Sequence, residues 1–162
     1  MSAAPDPDVP MLRHTLATLA YRAGKALRAA PDGFGDFRPA EGGRKAVEIL
    51  AHMGDLFDWA LTMAEGDPVW NEARPLPWDA EVARFFAALE RFDARLAREA
   101  PLAQPATTIF QGPVADALTH TGQLAMMRRM AGAKMRGENY FRADIAAGRV
   151  GEKQAPPRRE FD

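Results

Sequence analysis

The sequence predicts an all-α protein, a four-helix bundle with a short additional C-terminal helix. In four long segments, apolar residues recur at intervals of three and four, which is the period of a helix with one buried face. Stretches rich in proline and glycine separate these segments and interrupt the periodicity. Strands are not expected, because β-branched residues are scarce and the sequence shows no sustained two-residue alternation. Amphipathic helices joined by loops bury their apolar faces against one another, which favours a bundle.

The first two helices are predicted over residues 8 to 29 and 44 to 65. The loop between them, PDGFGDFRPAEGG, is crowded with residues that break helical periodicity. Gly66 is expected to end the second helix, because glycine readily adopts the left-handed conformation found at helix ends. The predicted core positions of these helices are Leu12, Leu16, Leu19, Ala20, Ala23, Leu27, Ile49, Met53, Leu56 and Ala60.

The third helix follows the loop GDPVWNEARPLPW. Asp79 is predicted to cap it, because a carboxylate accepts hydrogen bonds from the free amides of a first helical turn. The helix is expected to end near Ala100 and Pro101. Its predicted core positions are Val82, Phe85, Phe86, Leu89, Phe92 and Leu96.

The fourth helix is predicted to begin at Gly112 and Pro113, since proline suits a first helical position, and to run to about Gly132. A short fifth helix is predicted from Asn139 to Ala147. The whole chain, 1–162, is expected to form one domain, with residues 1–7 and 152–162 as flexible or extended tails. The loops after the first three helices are long enough for a crossover, so the order of the helices in space stays open.

Composition and charge narrow the classes of partner. With 162 residues, 47% of them hydrophobic, the chain can bury one substantial core. Its net charge of −1 gives no electrostatic footprint for a nucleic acid or an anionic membrane, which leaves a small molecule as the expected partner. The N-terminus, MSAAPDPDVP, carries acids where a signal peptide has bases, and no apolar run approaches the length of a membrane span. A cytoplasmic protein is therefore expected.

The chain contains no cysteine. Disulfides, thiolate metal ligands and a sulfur nucleophile from the protein itself are thereby excluded. Any thiol chemistry must bring its sulfur on a small molecule.

The stretch DALTHTGQLAMMRRM points to a metal site. Asp116 is the only formal charge between Pro113 and Met127, and it lies four residues before His120, so both side chains fall on one stripe of the predicted helix. His52 falls on or beside the buried face of the second helix. Two histidines and a carboxylate on facing helices, with open coordination positions, are typical of catalytic zinc and of open non-haem iron or manganese sites.

Simpler structural roles compete with this hypothesis. A histidine on an apolar helix face is more often a hydrogen-bonded core residue, and an Asp–His pair four residues apart is often only a hydrogen bond. A lone acid in an uncharged segment, however, would cost several kcal/mol in desolvation unless a cation or protons compensated it. Gln123 is a candidate catalytic residue that can bind a substrate oxygen, or it makes a helix-packing contact.

For several residues near the predicted metal site, the sequence indicates one role or two alternative roles. Glu48 and Asp55 share a side of the second helix with His52 and are candidate partners for its other ring nitrogen or, as we favour for each, solvated or ion-paired surface acids. Gly122, inside a helix, indicates a close approach to the backbone. Arg128 and Arg129 bind a substrate carboxylate or, as we favour, stabilise the C-terminal end of their own helix. Trp59, Trp70 and Trp78 are expected to line a pocket or to fill the core.

Three blocks of the sequence resemble the DinB/YfiT-like superfamily of bacterial four-helix bundles: EILAHMGDLFDWAL, THTGQLAMMRRMAG, and YFRADIAAGRVG with its PPRREFD ending. The resemblance extends over most of the chain, and the blocks follow the family's order. The resemblance implies a divalent metal held by three histidines, one on the second helix and two, four residues apart, on the late helix. His52 matches the first and His120 the third, while Asp116 stands at the middle position. Aspartate is a harder, negatively charged ligand, which changes the metal preference and the charge of the site.

The resemblance also implies function classes. It implies metal-dependent hydrolases and transferases that use low-molecular-weight thiols such as bacillithiol or mycothiol, with zinc, nickel, iron or manganese as the metal, and a homodimer. The expected mechanism is coordination of the thiol sulfur, its deprotonation and attack on an electrophile. Two alternatives remain open: a non-catalytic bundle with a structural metal or a buried polar triad, and a dimeric interaction module.

Overall fold

The structure, a computed structural model, describes residues 6–98 and 100–162 and is mostly helical. Position 99 and residues 1–5 of the predicted N-terminal tail lie outside the described residues. The all-α prediction is confirmed, since the described part of the chain holds only one two-stranded ladder beside its helices. The helices are α1 (Val9–Leu27), α2 (Ala46–Glu65), α3 (Trp78–Leu96), the short α4 (Ala106–Ile109) and α5 (Ala115–Met130).

The long helices pack around one apolar core. α2 lies along α3, while α5 contacts both α1 and α2, and α1 also contacts α3. Every core position predicted from the helical period is buried, including the rings of Phe85 and Phe92. Each fully buried side chain of this kind stabilises the fold by roughly 1.5–3 kcal/mol. No helix in the described ranges has both the length and the apolar character needed to cross a membrane.

The end of α2 is as predicted and the start of α3 is not. Gly66 follows α2 in the left-handed conformation, with a φ of 98°. α3 begins at Trp78 after Pro77, without a side-chain cap from Asp79. The carboxylate of Glu81 instead accepts a hydrogen bond from the amide of Leu76 at 2.8 Å. The first-turn acid thus binds an amide that precedes the helix, and α3 ends at Leu96, earlier than predicted.

The late helix begins earlier than predicted. Helical structure starts at Ala106, whose amide donates to the Asp6 carboxylate at 2.8 Å, and passes through a π-helical turn, Phe110–Val114, into α5. Pro113 therefore lies inside the helix, where it lacks an amide hydrogen and its ring crowds the preceding turn. The wider π turn accommodates the proline, so the predicted start at Gly112 and Pro113 is wrong.

The predicted fifth helix, Asn139 to Ala147, does not form. A two-residue strand, β1 (Gly137–Glu138), pairs antiparallel with β2 (Glu160–Phe161), and only a 3-10 turn, Tyr140–Arg142, follows β1. Contacts with α1 explain this difference. Tyr21 and Lys25 donate hydrogen bonds to the buried Glu138 carboxylate at 2.5 and 2.7 Å. Fixing Glu138 against α1 holds the backbone extended where local preference favoured a helix.

Candidate metal centre

The structure brings His52, Asp116 and His120 together where α2 meets α5. Nε2 of His52 lies 3.2 Å from Oδ2 of Asp116, and Nε2 of His120 lies 3.4 Å from its Oδ1. Each oxygen of the Asp116 carboxylate therefore faces one of the two imidazole rings. One ligand atom from each residue falls within 4.8 Å of the others, so this group can hold a metal ion.

The three side chains differ in their contact with solvent. The side chain of His120 is 12% exposed and that of His52 is 21% exposed, whereas Asp116 is 45% exposed. The two rings are perpendicular, with centroids 5.0 Å apart. The exposure of Asp116 contradicts the expected desolvation cost, since water still reaches this carboxylate. The same exposure leaves the group open to a small molecule from the side of Asp116.

Gln123 fixes the orientation of His120. Nδ1 of His120 lies 2.7 Å from the amide oxygen of Gln123, which is exposed on the next turn of α5. An amide oxygen only accepts hydrogen bonds, so this contact favours the tautomer that carries its proton on Nδ1. In the neutral ring, Nε2 then presents its lone pair to Asp116. The sequence did not predict this contact, and a role of Gln123 toward a substrate oxygen stays a prediction.

Glu48 and Asp55, expected beside His52, are engaged elsewhere. Glu48 accepts a hydrogen bond from the amide of Lys45 at 2.6 Å, at the start of α2. Asp55 is buried and accepts from the amide of Ala73 at 3.1 Å and from Arg84 at 3.0 Å. The expected link to His52 is therefore wrong. Asp55 instead turns to α3 and to the loop that follows α2.

That loop, residues 67–77, places an aromatic side chain on the site. The ring of Trp70 lies 5.5 Å from His52 and 5.6 Å from Trp59, both edge to face. Trp78 lies apart from them and packs against Phe34. The three tryptophans thus do not line one pocket. The sequence signal for Trp59 is its position seven residues after His52, which is two helical turns, but no local pattern places Trp70.

The structure also shows the surroundings of Gly122 and Arg128. Gly122 has no atom of the described residues within 4 Å of where its Cβ would be, so the expected close approach is wrong. The guanidinium of the buried Arg128 donates to the carbonyl oxygens of Ala26, Arg28 and Ala29. Arg128 therefore has a structural role, as we favoured, but it binds carbonyl groups at the end of α1 and just after it rather than at the end of its own helix.

Comparison with known proteins finds no family model, curated protein or solved structure that matches this chain. The resemblance to the DinB/YfiT-like superfamily stays a prediction. A function is therefore inferred from the geometry around His52, Asp116 and His120.

Proposed function

We propose that this protein binds one divalent metal ion through Nε2 of His52, a carboxylate oxygen of Asp116 and Nε2 of His120. We further propose a DinB-like four-helix bundle as its architecture. Because α1 and α2 each pack between α3 and α5, they would occupy opposite corners of such a bundle. The connection from α1 to α2 then crosses one end of it, as the long loop between them allows.

The arrangement of His120 between Gln123 and Asp116 carries the proposal. The contact with Gln123 favours the tautomer with its proton on Nδ1, and in that neutral ring the lone pair of Nε2 faces the Asp116 oxygen 3.4 Å away. Two groups that both accept hydrogen bonds repel each other unless a cation or an added proton lies between them. A divalent cation satisfies both groups, and Nε2 of His52, beside the other carboxylate oxygen, is close enough to bind the same ion.

The donor set indicates the class of metal. Two imidazoles and one carboxylate suit zinc, iron, manganese or nickel, and the aspartate favours harder ions more than a third histidine would. When bound, such an ion supplies Lewis-acid chemistry, which suits a hydrolase or a transferase that uses a low-molecular-weight thiol. The chain contributes the remaining parts. Gln123 orients His120, Asp116 balances positive charge, and the exposed side of Asp116 leaves access for a substrate.

A polar triad without a metal is the second candidate. Its support is that the His52–Asp116 and His120–Asp116 distances, 3.2 and 3.4 Å, also suit ion pairs between a carboxylate and protonated imidazoles. In that case the three side chains would join α2 to α5 and no reaction would take place there.

Metal analysis of untagged protein distinguishes the two candidates. After equilibrium dialysis against micromolar zinc, manganese or nickel, wild type should retain one ion per chain, whereas Asp116→Ala and His120→Ala should lose most of it. Asp67→Ala, at an exposed aspartate in the loop after α2, is the matched control and should retain the ion. Equal metal content in wild type, Asp116→Ala and His120→Ala would refute the proposed site. A wild type without metal, destabilised by His52→Ala, would instead identify the polar triad.

A further inference from the structure

An open cleft of about 430 Å³ begins at Asp116 and extends along α2 and the late helix. Its apolar lining includes Leu56 and Trp59 on α2, and Gly112 and Ala115 near the π turn. The volume lies within the range of roughly 300–1,000 Å³ found for small-molecule sites. Because Asp116 belongs to both the cleft and the candidate metal group, a ligand in the cleft lies beside one of the three metal-binding side chains.

Gly112 keeps this cleft open. It lies in the π turn, four residues before Asp116, and both residues line the cleft. A Cβ at Gly112 would meet no atom of the described residues within 4 Å, so close packing does not explain the glycine. Glycine inside a helix costs about 1 kcal/mol relative to alanine. A larger residue at position 112 would instead reduce the free volume beside Asp116.

One indole ring, that of Trp59, lines the cleft, and a second, that of Trp70, packs against it. Trp59 lines the cleft and packs edge to face against Trp70, which in turn packs against His52. Trp70 is 43% exposed, so its own burial does little to hold it in place. The faces and edges of indole rings favour contact with flat apolar groups. The rings of His52, Trp70 and Trp59 therefore form one continuous aromatic surface between the candidate metal group and the cleft.

Buried charges hold the loop that carries Trp70. The carboxylates of Asp55 and Glu81 are almost fully buried, and both pair with Arg84. Three side chains of α2 and α3 accept hydrogen bonds from loop amides: Thr62 from Val69 at 3.0 Å, Asp55 from Ala73 at 3.1 Å, and Glu81 from Leu76 at 2.8 Å. Such pinning fixes Trp70 against His52 and Trp59 before any ligand arrives, which reduces the entropy lost on binding.

We propose that this cleft binds the flat apolar part, such as an aryl group, of a small molecule whose donor atom is held at His52, Asp116 and His120. The inference rests on the metal-binding function proposed above. It assigns the substrate class: a compact polar or thiol head at the metal group, with an aryl substituent directed along Trp59. Gly112 and Trp59 set the specificity, and Trp70 is a positioning residue.

Two hydroxamates that differ only in their substituent test the proposal. Zinc-loaded, full-length protein is titrated calorimetrically with acetohydroxamate and with benzohydroxamate, which share a metal-binding head and carry a methyl and a phenyl group. Benzohydroxamate should bind at least about 10-fold more tightly, since the phenyl ring buries more apolar area against the indoles. It should also change the tryptophan emission of a Trp78→Phe variant, in which only Trp59 and Trp70 emit.

Filling the cleft should remove the preference for benzohydroxamate without changing zinc binding. Gly112→Leu places a side chain in the cleft, so benzohydroxamate should lose its advantage while acetohydroxamate affinity and zinc content stay as in wild type. Gly122→Leu is the matched control, because Gly122 lies on the same helical segment, also has open space around it and lies outside the cleft lining. Trp59→Leu gives the same test without adding volume at the π turn.

The results of these titrations distinguish failure of the aryl subsite from failure of the metal-binding function. Zinc bound with equal affinity for the two hydroxamates in wild type would overturn the aryl subsite and leave the metal site intact. A preference that survives in both Gly112→Leu and Trp59→Leu would place the aryl group elsewhere and also overturn it. Failure to bind zinc at all would overturn the metal function, and with it this proposal.

Discussion

Nε2 of His52 and Oδ2 of Asp116 lie 3.2 Å apart, although 64 positions separate the two residues in the sequence. The contact joins α2 to α5, and the other oxygen of the same carboxylate faces His120. Asp116 therefore links two imidazoles that come from different helices. Residues that set the position or protonation of these rings should control metal binding without touching the ion.

Gln123→Leu should weaken zinc binding by about 10- to 100-fold, the usual effect of losing a partner that orients a ligating histidine. The substitution removes the acceptor for Nδ1 of His120, so the ring can rotate or move its proton to Nε2. Competition with a chromophoric chelator measures the affinity. Gln104→Leu, at a half-buried glutamine before α4, is the control and should bind zinc as wild type does. Equal affinities of Gln123→Leu and Gln104→Leu would contradict the orienting role.

Glu81→Ala should lower the free energy of unfolding by about 3–5 kcal/mol, because it leaves the guanidinium of Arg84 without its closest carboxylate in a largely buried place. Burial lowers the pKa of Arg84, but hydrogen bonds to Glu81 and Asp55 outweigh it and raise the pKa above its ordinary value. Urea denaturation measures the loss. Glu72→Ala, at an exposed acid of the loop, should change stability by less than about 0.5 kcal/mol.

Arg128→Met should destabilise the fold by about 2–3 kcal/mol. The variant keeps most of the apolar stem but leaves the carbonyl groups at the end of α1 and just after it without their charged donor. Arg129→Met, next to it and exposed, provides the comparison and should stay within about 0.5 kcal/mol of wild type. Similar denaturation midpoints for the two variants would show that the carbonyl groups find other partners.

Acid should release the C-terminal segment from α1. A hydrogen bond from Lys25 lowers the pKa of Glu160 below its ordinary value of 4.5. A carboxyl group with a lowered pKa stabilises the folded state above that ordinary value, and this contribution is lost as the pH falls through the lowered pKa. Glu160→Gln should therefore melt below wild type at pH 7, and the difference should vanish in acid.

Thermal melts at pH 7, 5, 4 and 3 measure the effect of Glu160. Glu152→Gln, at an exposed acid of the same segment, is the control and should follow wild type at every pH. A difference between wild type and Glu160→Gln that stays constant down to pH 3 would exclude the ion pair with Lys25 as its source.

Helical periodicity identified the residues that are buried. The predicted core positions, from Leu12 on α1 to Leu96 on α3, all face the interior, because a helix repeats every 3.6 residues and presents one stripe to the core. The same rule placed Asp116, His120 and Gln123 on one side of α5. These relations hold within a single helix, where backbone geometry fixes the spacing.

The helix predictions were wrong where a residue distant in the sequence determines the local structure. The late helix begins at Ala106 because Asp6, 100 positions away in sequence, accepts its first amide, while Pro113 is accommodated by a π turn. The segment after Glu138 is not helical, since Tyr21 and Lys25 hold that carboxylate against α1. Local preference predicts a helix start at a proline and a helix after Asn139, and neither preference includes these partners.

The sequence alone determined the all-α class, the buried faces and the three side chains that can meet a cation. Only the tertiary structure decided that His52 reaches Asp116, that Trp70 covers His52, and that Gly112 and Trp59 border a cleft beside them. The physical reason is that spacing along a helix follows from covalent geometry and local hydrogen bonds. Distances between helices depend on how the whole core packs and on where buried charges such as Asp55 and Glu81 hold the connecting loop.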